Sequence, residues 1–256
     1  MKVKDKPRLL LVNNYNMEKA YHLWEKGESG SHHVWGKVEL EPRGNVEVEI
    51  FPHEKYRILN KIGNIFGIKH LDQQLRILFY GKHYDILYAP YSLSNTRLLI
   101  VLKILGIYRK PILVTIHQPF MKTNATNKYY RWLSKKFLFQ YDGILFLSEK
   151  LKDIAVRSLN IKDKEQLARI DTAQWGPDTK FYDKVITNEG DKLNYFISAG
   201  HTARDYVTLI EAFKKMDYQL KIFCTPKSKP PVDNLPPNVS VNASFIPYEA
   251  LLKYYK

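Results

Sequence analysis

The sequence predicts an α/β fold built on a parallel sheet with helices on both faces. Three observations predict it. Short apolar or alternating runs that read as strands recur along the chain. Stretches with helical spacing of apolar residues stand between them, so strands and helices alternate. The apolar content, 45% against 26% charged residues over 256 residues, suffices for a large buried core.

Taken in order, Arg8 to Asn13 reads as a buried strand, and Val46 to Phe51, which alternates, as a second. Leu71 to Tyr80 has helical spacing. Asp85 to Ala89 is a strand ending at Pro90, and Asn95 to Leu105 an apolar helix stopped at Gly106. Pro111 to Ile116 is a β-branched strand ending at His117, and Lys128 to Gln140 a helix. Asp142 to Leu147 is a strand, and Ser148 caps a helix over Glu149 to Leu159. Repeated strand–helix units of this kind cover a parallel sheet on both faces. A polar stretch without sustained period, Phe181 to Lys192, marks a boundary between a first domain, residues 1–185, and a second, residues 192–256. The pattern then restarts, with strands at Leu193 to Ala199 and Leu220 to Cys224. Helices fall at Asp205 to Met216 and Tyr248 to Tyr255, and a proline-rich loop at Pro226 to Pro237. Two strands and two helices are too few for a self-sufficient doubly wound sheet, so the second domain reads as incomplete within these residues.

The formal net charge is +14, which attracts polyanions: nucleic acid, anionic headgroups or phosphorylated substrates. The lone cysteine, Cys224, rules out a disulfide within the chain and fits a reducing cytosol. The apolar run Leu9 to Val12 stops at Asn13 and is too short for a secretory core. Leu98 to Ile107 is broken by Lys103 and falls short of the roughly 20 apolar residues of a membrane span. The expected location is cytoplasmic, with room for peripheral attachment to the inner face of a membrane. The dinucleotide, P-loop, zinc-protease, C-x-x-C, D-x-D and G-x-S-x-G patterns are all missing from the sequence.

In open α/β sheets ligands bind beyond the carboxyl ends of the strands, so the residues there are the candidates. Asn13 and Asn14 follow the first strand. Gly27 to Gly36 follows later and combines glycines, hydroxyls, two histidines and Trp35. Its glycines admit a ligand close to the backbone, and Ser31 is placed to cap a helix whose N-terminus faces an anion. Gly30, Ser31, His32 and His33 are the candidates for an acceptor or phosphate loop, against the plain reading of a surface loop. His32 and His33 are adjacent and do not read as a metal site. His117, at a strand end, can hydrogen-bond a substrate hydroxyl or stabilise developing charge, or simply serve the fold. Gly200, His201, Thr202 and Arg204 supply what a diphosphate needs: backbone donors, a helix start and a fixed cation. Asp205 reads as an N-cap or a first-turn acid. Lys128 to Gln140 mixes four cations with aromatics and no acid, which suits an anionic lipid interface, nucleic acid, or a core helix with a basic outer face.

Three segments, in matching order, resemble family 4 of the retaining GT-B glycosyltransferases. Val114-Thr-Ile-His117 resembles that family's "vvtvHd" strand end. Trp175-Gly-Pro-Asp-Thr-Lys-Phe181 resembles its "GvD…F" segment. Phe196-Ile-Ser-Ala-Gly-His-Thr-Ala-Arg-Asp-Tyr-Val-Thr-Leu-Ile-Glu-Ala212 resembles the strand, loop, basic residue and "tLieA" that follow. The resemblance implies a GT-B-like fold: an N-terminal Rossmann-like parallel-sheet domain and a second Rossmann-like domain, incomplete here. It implies sugar transfer from a nucleotide-diphosphate donor to an acceptor hydroxyl with retention, with no required metal or other cofactor. Carried over, Gly200 brings the backbone near the donor phosphates, Arg204 neutralises the leaving diphosphate, His117 lies beside the transferred sugar, and the Gly27 to Gly36 loop lies near phosphate and acceptor. Two departures stand out. His201 replaces the usual arginine, which makes diphosphate binding weaker or pH-sensitive, and the family's later E-x7-E motif, downstream of this loop, is not among the residues after Arg204.

The expected partners are a nucleotide sugar, a glycan or lipid-linked acceptor in polysaccharide or glycolipid synthesis, and an anionic membrane surface. A second reading is a non-catalytic partner of a transferase. Nucleic acid is not expected, since no helix-turn-helix, RNP-like motif or zinc finger accompanies the charge.

Overall fold

A computed structural model describes residues 6–44, 46–80, 83–90, 93–119, 127–186, 194–200, 204–231, 234–244, 246 and 248–255. Strand β1 (Arg8–Leu11) is followed by α1 (Met17–Glu25) and α2 (Lys37–Arg43). Strand β2 (Glu47–Ile50) is followed by α3 (Arg57–Ile65) and α4 (Leu71–Tyr80), β3 (Ile86–Ala89) by α5 (Arg97–Ile104), and β4 (Ile112–Ile116) by α6 (Lys128–Leu138). After β5 (Gly143–Phe146) come α7 (Glu149–Ser158) and α8 (Lys164–Ala168), and after β6 (Ile170–Thr172) comes α9 (Thr179–Ile186). The chain continues through β7 (Tyr195–Ala199), α10 (Tyr206–Phe213), β8 (Gln219–Phe223), β9 (Val239–Asn242) and α11 (Tyr248–Leu252).

Two parallel sheets result, one of order β2-β1-β3-β4-β5-β6 and one of order β7-β8-β9. Two compact units contain them: Met1–Lys26 with Gly30–Pro177, and Gly27–Ser29 with Asp178–Lys256.

In the first unit the strand period of two sorts side chains into two cores. Leu10, Val12, Leu87, Val114 and Ile144 pack with Ile77 of α4, Leu99 and Ile100 of α5, Leu138 of α6 and Ala155 of α7. Leu9, Leu11, Val48 and Ile86 pack on the opposite side with Met17 of α1 and Trp35. Connection handedness explains the division. The step from β1 to β2 runs one way along the sheet and the later steps run the other, so right-handed crossovers place α1 and α2 on one face and the remaining helices on the other.

Capping follows the local chemistry. Ser148 accepts from the Leu151 N–H at 3.2 Å and starts α7 as expected. Asp72, at the start of α4, is wholly buried. It accepts from the main-chain N–H of Lys55 at 3.0 Å and of Tyr56 at 3.1 Å, and it pairs with Arg76 at 2.9 Å. Arg76 also donates to the carbonyls of Pro52 and His53. This knot ties the segment after β2 to α4.

Helix α3 meets α4 at Gly63. A Cβ there would fall 2.3 Å from the Ile68 carbonyl oxygen and 2.6 Å from Leu71 Cβ, both too close to tolerate. Gly63→Ala is expected to lower stability by about 1–3 kcal/mol, the usual range for overpacking. Hydrogen exchange should show α3 losing protection while β1 to β6 keep theirs. Unchanged protection in α3 would show that the seam can shift to admit the methyl group.

The structure corrects the sequence reading in three places. Residues Phe181 to Ile186, read as polar and without period, lie in α9, where Asp178 accepts from the Phe181 N–H at 3.2 Å. That acid precedes the polar stretch, so its capping role does not show in the periodicity of Phe181 to Lys192. Among the described residues the second unit holds three strands rather than two. The third, Val239-Ser-Val-Asn, alternates over four residues only, with just Asn238 between it and the pair Pro236-Pro237. These strands pack with Tyr206, Ile210 and Phe213 of α10 into a core of their own, which also takes in Cys224, whose thiol is pushed up by burial. The third is Ser31, which opens a 3₁₀ turn rather than capping a helix.

Candidate functional site

All strands of the first sheet are parallel, so their carboxyl ends share one edge. His117 is the residue after β4 and is half-buried at that edge. At the end of β1, buried Asn13 accepts from the Asn14 N–H at 2.7 Å, and its carbonyl lies 3.2 Å from His53 Nδ1. Its amide nitrogen, Nδ2, has no partner among the described residues. His53 follows β2 and stands 5.8 Å, centroid to centroid, from His70. Burial lowers the His70 pKa, and the neighbouring His53 lowers it further. Gln73, near the start of α4, accepts from Asn95 Nδ2 at 2.7 Å, and its own Nε2 is buried and unpartnered among the described residues.

Two amide donors without partners among the described residues, the neighbouring His53 and His70 rings and a strand-end histidine thus stand on elements of the first unit. Buried donors without partners are costly. The sequence reading named Asn13 but missed His53, His70, Gln73 and Asn95. The legible signal was Pro52-His53 directly after an alternating strand.

The Gly27 to Gly36 segment is described throughout, and Ser29 within it is buried. Residues Ser31–Val34 form a 3₁₀ turn whose cap position is Gly30, without a side-chain cap. Ser31 therefore does not cap a helix: it is the first residue of the turn, and its hydroxyl donates to Glu39 Oε1 at 2.8 Å. Tyr15 donates to the His33 carbonyl at 2.5 Å and accepts from Trp35 Nε1 at 3.0 Å. From far along the sequence, Trp175 donates to the His32 carbonyl at 2.9 Å, stacks on Trp35 at 5.6 Å and meets the His32 ring edge-on at 5.7 Å. The His32 and His33 rings lie 4.1 Å apart.

In the second unit Gly200 follows β7 with φ +146. Its N–H donates to the Phe223 carbonyl at 3.0 Å, and its carbonyl accepts from Tyr206 at 2.5 Å. A Cβ at Gly200 would fall 2.8 Å from Arg204 Nε, so the missing side chain makes room for the guanidinium. Asp205 caps α10, accepting from the Thr208 N–H at 3.0 Å and the Thr208 hydroxyl at 2.7 Å, and these bonds lower its pKa. The helix start already holds a carboxylate, which leaves Arg204 as the fixed cation of this turn. His201 and Thr202 lie outside the described residues.

Helix α6 packs one side on the core and exposes the other. Leu138 is buried and Phe137 packs on the core, while Tyr129, Tyr130, Trp132 and Leu133 are exposed and Lys136 stands over the Trp132 ring at 5.3 Å. Among the described residues, no three His, Cys, Asp or Glu side chains are grouped to hold a metal ion, and no helix is long and apolar enough to cross a membrane.

Two parallel α/β units of this kind define a GT-B-like architecture, and comparison with solved structures agrees. The chain is similar to a UDP-N-acetylglucosamine 2-epimerase from Rickettsia bellii, with 11% identity, TM-score 0.56, and coverage of 97% of this chain and 71% of that one. It is similar to UDP-GlcNAc 2-epimerase from Neisseria meningitidis bound to UDP-GlcNAc, with 12% identity, TM-score 0.57, and coverage of 96% and 74%. A co-structure of S. aureus MnaA with UDP is similar at 11% identity and TM-score 0.51, with coverage of 98% and 71%. Identities this low bear on fold alone. No curated protein matches the chain by sequence. The profile of Glycosyltransferase Family 4 matches residues 31–170, more than half of the chain, and the chain belongs to that family.

Proposed function

We propose that this chain transfers a sugar, with retention, from a nucleotide-diphosphate donor to an acceptor hydroxyl on a glycan or lipid-linked molecule, in polysaccharide or glycolipid synthesis at the cytoplasmic face of a membrane. The observation that carries the donor reading is the Arg204 guanidinium laid over the side-chain-free Gly200 at the end of β7. Breaking the bond between sugar and diphosphate leaves negative charge on the leaving group, and a preorganised cation there lowers the barrier. His201 and Thr202, next to Gly200, belong to the same donor loop in this reading. The donor is a substrate, and the reading requires no resident metal or cofactor.

The acceptor is assigned to the first unit. Asn13, His53, His70 and Gln73 suit a ligand rich in hydroxyls. The turn from Gly30 to His33 lines the phosphate or acceptor side, and His117 stands beside the transferred sugar. The exposed aromatics and cations of α6 and the net charge of +14 support an anionic lipid surface rather than nucleic acid as the macromolecular partner.

His117→Ala is expected to lower turnover by about a hundredfold or more while leaving nucleotide affinity within a few-fold, since a group acting only in the transition state changes kcat rather than binding. Full turnover in this variant would remove His117 from the reaction. The direct test of the function is calorimetric titration with UDP and other nucleoside diphosphates, UDP first because two of the similar structures hold UDP or a UDP-sugar. Diphosphate release from a panel of nucleotide sugars, with lipid extract as acceptor, should follow. No saturable nucleotide binding up to millimolar concentrations would end the donor reading.

A further inference from the structure

Helix α3 is seated on one side only. Gly63 is buried against Ile68 and Leu71, and Leu59 is half-buried. The rest of its surface is open, yet it is apolar. Ile58 is 70% exposed, Ile62 41%, Ile65 80% and the following Phe66 73%. At the α-helical turn angle, Ile58, Ile62 and Ile65 fall within about 60° of one another, with Lys61 and Arg57 next along one side. Residues 55–71 carry Lys55, Arg57, Lys61 and Lys69 and no carboxylate. Glu54, just before them, accepts from Asn60 Nδ2 at 2.8 Å.

We propose that the outer face of α3 docks the protein on an anionic lipid bilayer. Ile58, Ile62, Ile65 and Phe66 enter the boundary between headgroups and acyl chains, and Arg57 and Lys61 meet the phosphates beside them. The inference rests on the membrane-side reading above in taking lipid as the occupant, and it adds a second element, α3, to the α6 surface named there. Charge complementarity favours this occupant. A protein groove receiving the same stripe would have to match four cations within one short segment, whereas an anionic membrane offers negative charge at every point of its surface. Each Lys or Arg near such a surface strengthens binding about fivefold.

The test is flotation of the chain with vesicles of phosphatidylcholine, alone or mixed with phosphatidylglycerol, and does not depend on transfer activity. The wild-type chain should float with the mixed vesicles, much less with the neutral ones, and less as salt rises. The triple variant Ile58→Ser, Ile65→Ser, Phe66→Ser should lose at least about tenfold in partitioning, because three large apolar side chains no longer leave water. Its circular dichroism and melting temperature should match wild type, since these side chains are already exposed. Arg57→Glu with Lys61→Glu should weaken binding to mixed vesicles alone. Failure of wild type to float, equal flotation of the triple variant, or equal binding to neutral vesicles would overturn the proposal. So would self-association abolished by the triple variant without any vesicle binding, which would give the face to a second copy. Nucleotide titration of the same samples separates the two readings. A chain that floats but binds no nucleotide keeps the docking and loses the donor site, and one that binds nucleotide without floating does the reverse.

Discussion

Asp72→Ala is expected to cost about 3–5 kcal/mol, the range found when one member of a buried ion pair is removed. The cost has two parts. The Arg76 guanidinium, mostly buried, loses its counter-charge, and the N–H groups of Lys55 and Tyr56 lose their acceptor. Asp72→Asn should cost less, since its amide oxygen still accepts hydrogen bonds. The pair also predicts a pH dependence. Burial pushes the Asp72 carboxyl up, but the Arg76 hydrogen bond, the Lys55 N–H, the Arg76 charge and the Tyr56 N–H outweigh it and hold the carboxyl below the ordinary aspartate range. A group depressed in the folded state stabilises it fully above its unfolded pKa of about 3.9 and loses that contribution as pH falls through the folded value. The melting-temperature gap between wild type and Asp72→Asn should therefore be constant near neutrality and close in acid. A gap that stays open at the lowest pH where the chain folds would mean that the effect is steric rather than electrostatic.

Arg204→Ala carries the other large expectation. Removing the cation proposed above to meet the leaving diphosphate should reduce kcat/KM by about a hundred- to a thousandfold. UDP affinity should fall by about ten- to a hundredfold, as for a lost charge-assisted hydrogen bond. Arg204→Lys should recover only part of either loss, because an ammonium cannot reproduce the planar fork of donors. Gly200→Ala is the informative companion. Its Cβ would strike the guanidinium and its φ is strained for any other residue, so it should displace Arg204 without removing charge. If Arg204→Ala bound UDP as tightly as wild type, the diphosphate would have to be held elsewhere.

Much of the first sheet was legible because its strands are buried runs or alternate cleanly. Leu71 to Tyr80 was placed to the residue, since a ten-residue apolar period leaves little choice. The elements missed are short or amphipathic in an unusual sense. Strand β6 has three residues, and α3 turns its apolar side outward, so its pattern did not announce a core. At the site, single strand-end residues such as His117 and Gly200 could be read from position alone. The Asn13–His53–His70–Gln73 group could not, because it assembles from three separate connections and depends on register. The packing of Trp175 on the Gly30 to Trp35 turn was equally hidden, although both segments had been singled out for other reasons. Nothing in either stretch states that residues so far apart in sequence will stack.

That stacked pair also has an optical meaning. Two indoles 5.6 Å apart and 24° from parallel lie close enough for their electronic transitions to couple. Of the four tryptophans, Trp35 and Trp175 therefore carry a signal distinct from Trp24 and Trp132. Because Trp175 also holds the His32 carbonyl, light absorbed by this pair reports on the turn assigned to the phosphate or acceptor side. The molecule carries its own spectroscopic label at that position, with no dye required.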